Sequence, residues 1–305
     1  MDEQFVKFSI VICTYNRADF LRSALSSLTC QTSGNGIFEV IIVNNNSNDH
    51  TQAVADEFLV NHKNFRGVIE AQQGLGHARN RGYKEAKTDW IAYLDDDAKV
   101  SANYAERIIH VIEHYNFDCF GGIYLPWFKY GKPKWFKNSY GSNGFKIQRT
   151  GLLENDYCSG GIIVFKKSIL EHFNGFPVDI GMKGKKIAYG EETLLQVKMR
   201  KQGYTIGFDP ALQVEHVVGK HKLTLWWFIR SSFAAGRDSW YAFDIIVTKR
   251  MLLTTAACGL YHLIQDFFKY TPELTRKDYY IQNWIIDVFR RLSYNLGQIF
   301  TILRN

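Results

Sequence analysis

Two clusters of acids almost a hundred residues apart carry the chemistry most readily read from this chain. Asp95-Asp96-Asp97 closes the apolar run Trp90-Ile91-Ala92-Tyr93-Leu94, and Glu191-Glu192 precedes Leu194, Leu195, Val197 and Met199. An apolar run bounded by charge reads as a buried strand, so the triplet is expected where that strand leaves the core for a crevice, the place where open α/β sheets present ligands. Three adjacent carboxylates repel one another and lose hydration unless a cation or donors compensate. Their oxygens suit a hard divalent metal, and a metal there would hold phosphate. A solvated turn or helix cap is the reading that Asp leaves open. For Glu191-Glu192 the corresponding alternative is a helix start, where acids offset the macrodipole.

The elements that must position these acids follow from periodicity. Phe8 to Cys13 reads as a strand, Thr14 to Arg17 as a polar turn, and Ala18, Leu21, Ala24, Leu25 and Leu28 recur at helical spacing. The pattern repeats with a strand at Phe38 to Val43, a loop at Asn44 to Asp49 and a helix at Thr51 to Leu59. A third strand is expected at Val68 to Ala71 and a helix within Gly74 to Lys84, before the strand at 90–94. Strands alternating with helices imply a parallel sheet in βαβ units with ligands at the carboxyl ends of its strands. A helix at Asn103 to Tyr115 leads into 121–150, which has no period and reads as a loop region. Gly160 to Phe165 resumes as a strand, with a helix at Ser168 to Phe173 and another opened by Glu191-Glu192 and stopped near Gly203. Tyr204 to Phe208, a turn at Asp209-Pro210 and a strand at Leu212 to Val218 follow. The last of these contains His216, which is a core or edge residue or else a metal ligand.

Composition excludes several classes. The chain has 305 residues, of which 46% are hydrophobic, enough for a full core and an appendage. Its net charge of +7 comes without a long Lys/Arg tract. That suits a phosphate-bearing ligand or an anionic membrane surface better than a nucleic-acid groove. Five cysteines without CxxC spacing and the start MDEQFVKF, acidic rather than a basic signal region, point to a reducing cytoplasm, with the inner face of the membrane as an open alternative. No window of about 18 unbroken apolar residues appears, so a spanning helix is not expected. From Leu223 the composition changes, with ten Lys and Arg against six Asp and Glu and seventeen aromatics in 223–305. There Ile281, Trp284, Ile285, Val288, Phe289, Leu292, Leu296, Ile299 and Leu303 mark one apolar face of a long helix, for packing on its own domain or on a second copy, while the basic, aromatic composition of 223–305 leaves in-plane membrane contact as an alternative.

Taken together, Thr14-Tyr15-Asn16-Arg17, Asn44 to Asp49, Gly76-His77-Ala78-Arg79-Asn80, Asp95-Asp96-Asp97 and Gly190-Glu191-Glu192 followed by His216 resemble the family 2 glycosyltransferases of GT-A fold. The resemblance covers about residues 8–240. It implies a Rossmann-like, mixed α/β sheet flanked by helices over 1–222, with a nucleotide-binding half (1–100) and an acceptor-binding half (101–222), and a helical C-terminal appendage at 223–305. It further implies inverting transfer of a sugar from a nucleotide-diphosphate donor, UDP favoured and dTDP or GDP as alternatives, to a glycan or lipid-linked acceptor in surface polysaccharide synthesis.

The resemblance also distributes roles. Asp97 becomes the metal ligand of a DxD motif, joined by His216, with Mn²⁺ or Mg²⁺ as the ion and imidazole favouring Mn²⁺. Asp95 contacts the ribose or metal-bound water, and Asp96 is partly structural. Thr14, Tyr15, Asn16, Arg17 and Asn46 line the nucleotide, and Arg79 meets the base or diphosphate. Asn44 stands where the family commonly has Asp, and an amide that both donates and accepts no longer singles out uracil. Glu192 is the expected general base and Glu191 an acceptor or helix-start contact, with exchange between the two left open. Lys183, Lys185 and Lys186 either close over the diphosphate or belong to a solvated loop. Trp127, Phe128, Tyr130, Trp135, Phe136 and Tyr140, interleaved with lysines, either stack on sugars or pack on the core. Rival readings are a nucleotidyltransferase, for which Thr14 to Arg17 lacks a glycine-rich triphosphate grip, and a non-catalytic assembly partner acting through C-terminal helices.

Overall fold

The computed structural model describes residues 6–34, 36–142, 147–184 and 187–305. Lys185 and Lys186 lie outside the described residues. Two compact units emerge, neither continuous in sequence. The first comprises Met1–Trp127, Gly141–Asp179 and Glu191–Val217, and the second Phe128–Tyr140, Ile180–Gly190 and Val218–Asn305.

The first unit is a nine-stranded mixed sheet with helices. Its strands are β1 (Phe8–Thr14), β2 (Phe38–Asn44), β3 (Phe65–Ile69), β4 (Trp90–Leu94), β5 (Ala98–Val100), β6 (Cys119–Trp127), β7 (Gly151–Leu152), β8 (Ile162–Lys166) and β9 (Ile206–Val217). The order is β3-β2-β1-β4-β8-β6-β9-β5, with β7 on β9. β3, β2, β1 and β4 run parallel, as the βαβ pattern predicts, whereas β8 is antiparallel to both β4 and β6. Central β1 and β2 are apolar nearly throughout and buried on both faces, while edge strand β3 alternates. Helices α1 (Ala18–Leu28), α2 (Thr51–Asn61), α3 (Leu75–Glu85), α4 (Tyr104–His114), α5 (Lys167–His172) and α6 (Glu191–Lys201) fill the connections. α1 buries Leu21, Ala24, Leu25 and Leu28, the stripe its spacing predicts.

Four departures have physical causes. β3 starts at Phe65, three residues before the predicted strand, because Phe65 stacks on Phe58 of α2 and fixes the register there. β6 occupies 119–127, which was expected in part as loop, because Gly121, Gly122 and Pro126 disguise it. Gly122 lies so close to β9 that an added Cβ would stand 2.0 Å from the Leu212 carbonyl oxygen. β9 runs through Asp209-Pro210, where a turn was expected, since its ladder with β6 breaks at an irregularity between Gly121 and Ile123 that accommodates a residue without an N–H. Three-residue β5 was too short to be read from periodicity.

The second unit is built on α7 (Leu225–Ala242), α8 (Met251–Tyr270) and α9 (Ile281–Arg304), with both α7 and α8 packed on α9. The long α9 is as predicted, but its buried face differs. Ile281, Leu296 and Leu303 of the predicted stripe are exposed, and Asn283, Ser293, Asn295, Gly297 and Thr301 are buried among others. Polar side chains reach backbone instead: Ser293 donates to the Ile229 carbonyl and Thr301 to that of Arg237, each at 2.7 Å. Phe136, Phe228, Val218 and Ile286 form this unit's core with Phe128, Trp135 and Tyr140 against it, so those aromatics of the 127–140 cluster serve packing.

Candidate functional site

The acids gather within the first unit. Asp95, Asp96 and Asp97 follow β4 as its pattern predicts, and the short β5 pairs Ala98 with His216 of β9. That pairing brings together residues separated by about 120 positions in sequence. One ligand atom each of Asp95, Asp97 and His216 lie within 4.8 Å of one another. His216 Nε2 is 2.9 Å from Asp97 Oδ1 and 3.5 Å from Asp95 Oδ2. Burial would push Asp95 up, but His216 more than offsets it and holds the carboxyl below its usual range. The backbone is fixed as well, with Val217 N–H donating to the Asp97 carbonyl at 3.0 Å and Asp95 N–H to that of Gly161 at 3.3 Å.

Asp96 turns the other way. It is buried, and Arg17 Nη1 donates to Asp96 Oδ1 at 3.0 Å and to Asp97 Oδ2 at 2.8 Å. Burial pushes Asp96 up to about 7, with Arg17 pulling down and Asp97 adding to the rise. Arg17, expected at the nucleotide, is therefore the donor that the triplet requires. Thr14 ends β1 and is buried, Tyr15 is half-buried, and Asn16 takes φ +52°, a conformation Asn tolerates better than most residues. The Asn16 carbonyl oxygen of the side chain accepts from Asn48 N–H at 2.8 Å while its own N–H donates to Ser47 Oγ at 3.0 Å, lacing the two predicted nucleotide loops together. Asn46, at φ +61°, is exposed. Asn44 is buried, with Nδ2 donating to Gln52 Oε1 at 2.7 Å and Oδ1 accepting from Ser47 N–H at 3.0 Å, so both ends of the amide already have protein partners.

Glu191 and Glu192 open α6. Gln196, fully buried one turn on, clamps Cys158 by accepting its N–H at 2.8 Å and donating to its carbonyl at 2.9 Å. Glu191 is buried, and its Oε1 accepts from Arg79 Nη1 at 2.9 Å, whereas Glu192 is half-buried. Arg79, expected at the base or diphosphate, is itself buried, and its guanidinium lies over the rings of Phe176 and Tyr93 at 5.2 and 6.0 Å. Burial pulls the guanidinium down, but Glu191 and Glu192 overcome it, so it stays charged. Burial and the neighbouring Glu192 push Glu191 up to about 8 against the pull of Arg79.

A stability consequence follows with a definite sign. A carboxyl raised from 4.5 unfolded to about 8 folded favours the native state below pH 4.5, and that contribution is lost as pH rises through 8. The free energy of unfolding should therefore contain a component, at most about 5 kcal/mol, that falls between about pH 5 and pH 9, and the melting temperature should fall with it. Glu191→Gln should flatten that component. Identical pH profiles for the two proteins, measured by scanning calorimetry, would contradict the shift.

Three neighbours escaped sequence reasoning. Tyr124 of β6 donates from its hydroxyl to Asp95 Oδ2 at 3.2 Å, and its ring centroid lies 4.9 Å from that of His216. A Cβ on Gly160 would stand 2.5 Å from the Arg79 guanidinium, and one on Gly161 would stand 2.0 Å from Asp95 Oδ2 and 2.2 Å from the Tyr124 hydroxyl. The adjacent glycines before an apolar strand were a readable signal of close approach. Tyr124, inside a disguised strand, gave none.

Comparison with known proteins gives the relatives of this chain. The model described as glycosyl transferase family 2 matches residues 9–173, slightly over half of the chain. EpsH of Bacillus subtilis is 34% identical over 101 residues, a stretch covering 33% of this chain and only 29% of that protein. Glycosyltransferase AglE of Haloferax volcanii is 23% identical over 316 aligned residues, spanning 97% of this chain and 96% of its own. Among solved structures, the mannosyltransferase PcManGT from Pyrobaculum calidifontis, in complex with GDP-Man and Mn²⁺, superposes with a TM-score of 0.60 at 16% identity, covering 95% of this chain and 88% of that one. That likeness speaks for the fold.

Proposed function

This chain belongs to glycosyl transferase family 2 and is a glycosyltransferase of GT-A fold, and on that premise we propose that it transfers a sugar from a nucleoside-diphosphate donor to a hydroxyl acceptor with inversion and with a divalent cation. The observation that carries this reading is the convergence of Asp95, Asp97 and His216 within 4.8 Å. Two carboxylates and one imidazole form a donor set that fits a divalent cation, Mn²⁺ better than Mg²⁺. When bound, such an ion supplies Lewis-acid neutralisation of the departing diphosphate.

The chain's own residues do the rest. Tyr124 steadies Asp95, and Arg17 balances Asp96 and Asp97, leaving the three ligand side chains aimed at one point. Thr14 at the end of β1, with Tyr15, Asn16 and Asn46 on the loops after β1 and β2, borders the nucleotide. Base reading by Asn44 requires it to exchange Gln52 or Ser47 for the ligand. The acceptor oxygen attacks the anomeric carbon, the bond from that carbon to the diphosphate oxygen breaks with its electron pair leaving on the diphosphate, and the acceptor proton passes to Glu192. Glu192 suits the role because it is half-buried and not engaged by Arg79 as Glu191 is. Arg79 and Glu191 are positioning residues that hold the start of α6.

A thermal-shift panel tests the donor side. UDP, GDP, dTDP, CDP and CMP are each added with Mn²⁺, with Mg²⁺ or with EDTA, since a ligand binding only the native state raises the melting temperature. One nucleoside diphosphate should raise it with metal and fail to do so in EDTA. No shift with any nucleotide, or a shift indifferent to EDTA, counts against the proposal.

A further inference from the structure

Helix α8 is mounted with its apolar side outward. Each helical residue advances about 100°, which sets Leu253, Leu260, Tyr261, Ile264, Phe267 and Phe268 on one arc. All six are exposed, Leu253 by 80% and Phe268 by 72%, whereas Thr255, Gly259 and Asp266 on the opposite arc are buried. An ordinary surface helix shows the reverse. The mounting is held by specific contacts on the inner side: Asp266 accepts from Arg291 of α9 at 3.0 Å, and Gly259 packs close to Asn295. A contiguous exposed apolar face of this kind marks a surface that meets something apolar.

Charge distribution identifies the occupant. Exposed Lys249 and Arg250 stand just before the helix and exposed Lys269 in its last turn, and between Met251 and Phe268 the only charged residue is Asp266, buried and paired. The apolar arc is thus bracketed by positive charge at both ends along the roughly 30 Å of a 20-residue helix. A second copy of the same helix laid antiparallel on this face would bring Lys249 and Arg250 against Lys269, which like-charge repulsion opposes. Among the described residues no helix is long and apolar enough to cross a membrane. We propose that α8 lies in the plane of an anionic lipid surface, with its six apolar side chains at the acyl boundary and Lys249, Arg250 and Lys269 at headgroup phosphates. This surface belongs to the second unit and does not depend on the transfer chemistry.

Co-sedimentation of the full chain with vesicles tests it. Binding is expected to phosphatidylcholine vesicles containing about a third phosphatidylglycerol, and to be weaker by an order of magnitude with phosphatidylcholine alone. Leu260→Gln with Ile264→Gln should weaken binding to the anionic vesicles at least about tenfold, because two large side chains lose their apolar burial. Lys249→Glu with Arg250→Glu should weaken it comparably, and that pair decides the matter if the glutamine variant melts lower. Absence of binding by the parent chain, equal binding to neutral vesicles, unchanged binding of the variants, or a dimer in light scattering that the glutamine variant abolishes would each overturn the proposal.

Discussion

Glu192→Gln is expected to lower the rate of transfer by about 10²- to 10⁴-fold, the usual contribution of a positioned general base, while leaving nucleotide affinity within a few-fold of the parent. The amide is isosteric and cannot take the acceptor proton. The surrounding structure gives it little reason to move, since α6 is anchored through Gln196 at Cys158 and through Glu191 at Arg79. Glu191→Gln is the informative control. It keeps an oxygen that can accept from Arg79 and removes only the titration of a carboxyl raised to about 8, so it should alter the stability profile with pH more than the chemical step. Single-turnover rates for the two variants decide between the members of the pair. Unaltered transfer in Glu192→Gln, with loss in Glu191→Gln, would exchange their roles.

Gly161→Ala is expected to cost about 10- to 100-fold in metal-dependent nucleotide affinity with the fold retained, the range found when the groups supporting a metal ligand are disturbed. The added carbon would stand 2.0 Å from Asp95 Oδ2 and 2.2 Å from the Tyr124 hydroxyl, so the carboxylate must swing and lose its donor. Both atoms are side-chain ends that can give way, which is why the damage should fall on the site and not on the sheet. Tyr124→Phe removes only the hydroxyl donor and should fall between the parent and Gly161→Ala. Calorimetric titration with nucleoside diphosphate in Mn²⁺ measures both. Parent-like affinity in Gly161→Ala would show that Asp95 does not contribute to binding.

The legible parts of this molecule were those where one periodicity dominates. β1 and β2 are apolar nearly throughout, β4 is an unbroken apolar run, and α1 and α4 carry clean stripes, so their places and the acids at the end of β4 could be read directly. What could not be read depends on packing between distant segments. Three-residue β5 sets Ala98 opposite His216, and no local pattern announces a pairing of that length. The resemblance likewise assigned Arg79 and Arg17 to a ligand, while the folded chain gives them carboxylates. In the C-terminal helices the stripe rule fails for a different reason. α9 is held through Gly297, with an added Cβ only 2.1 Å from the Phe233 carbonyl oxygen, and through hydroxyls bonded to backbone, so its small and polar residues face inward and several large ones outward.

Binding of Mn²⁺ followed by the loss of the free-ion electron paramagnetic resonance signal tests the central claim most directly, because it reads the proposed ligand set without requiring the acceptor. In the presence of a nucleoside diphosphate the parent chain should take up about one equivalent, and Asp97→Asn and His216→Ala should each shift the titration midpoint at least about tenfold. Uptake by either variant equal to that of the parent, measured against a nucleotide-only blank, would place the ion elsewhere and remove the triad from the reaction.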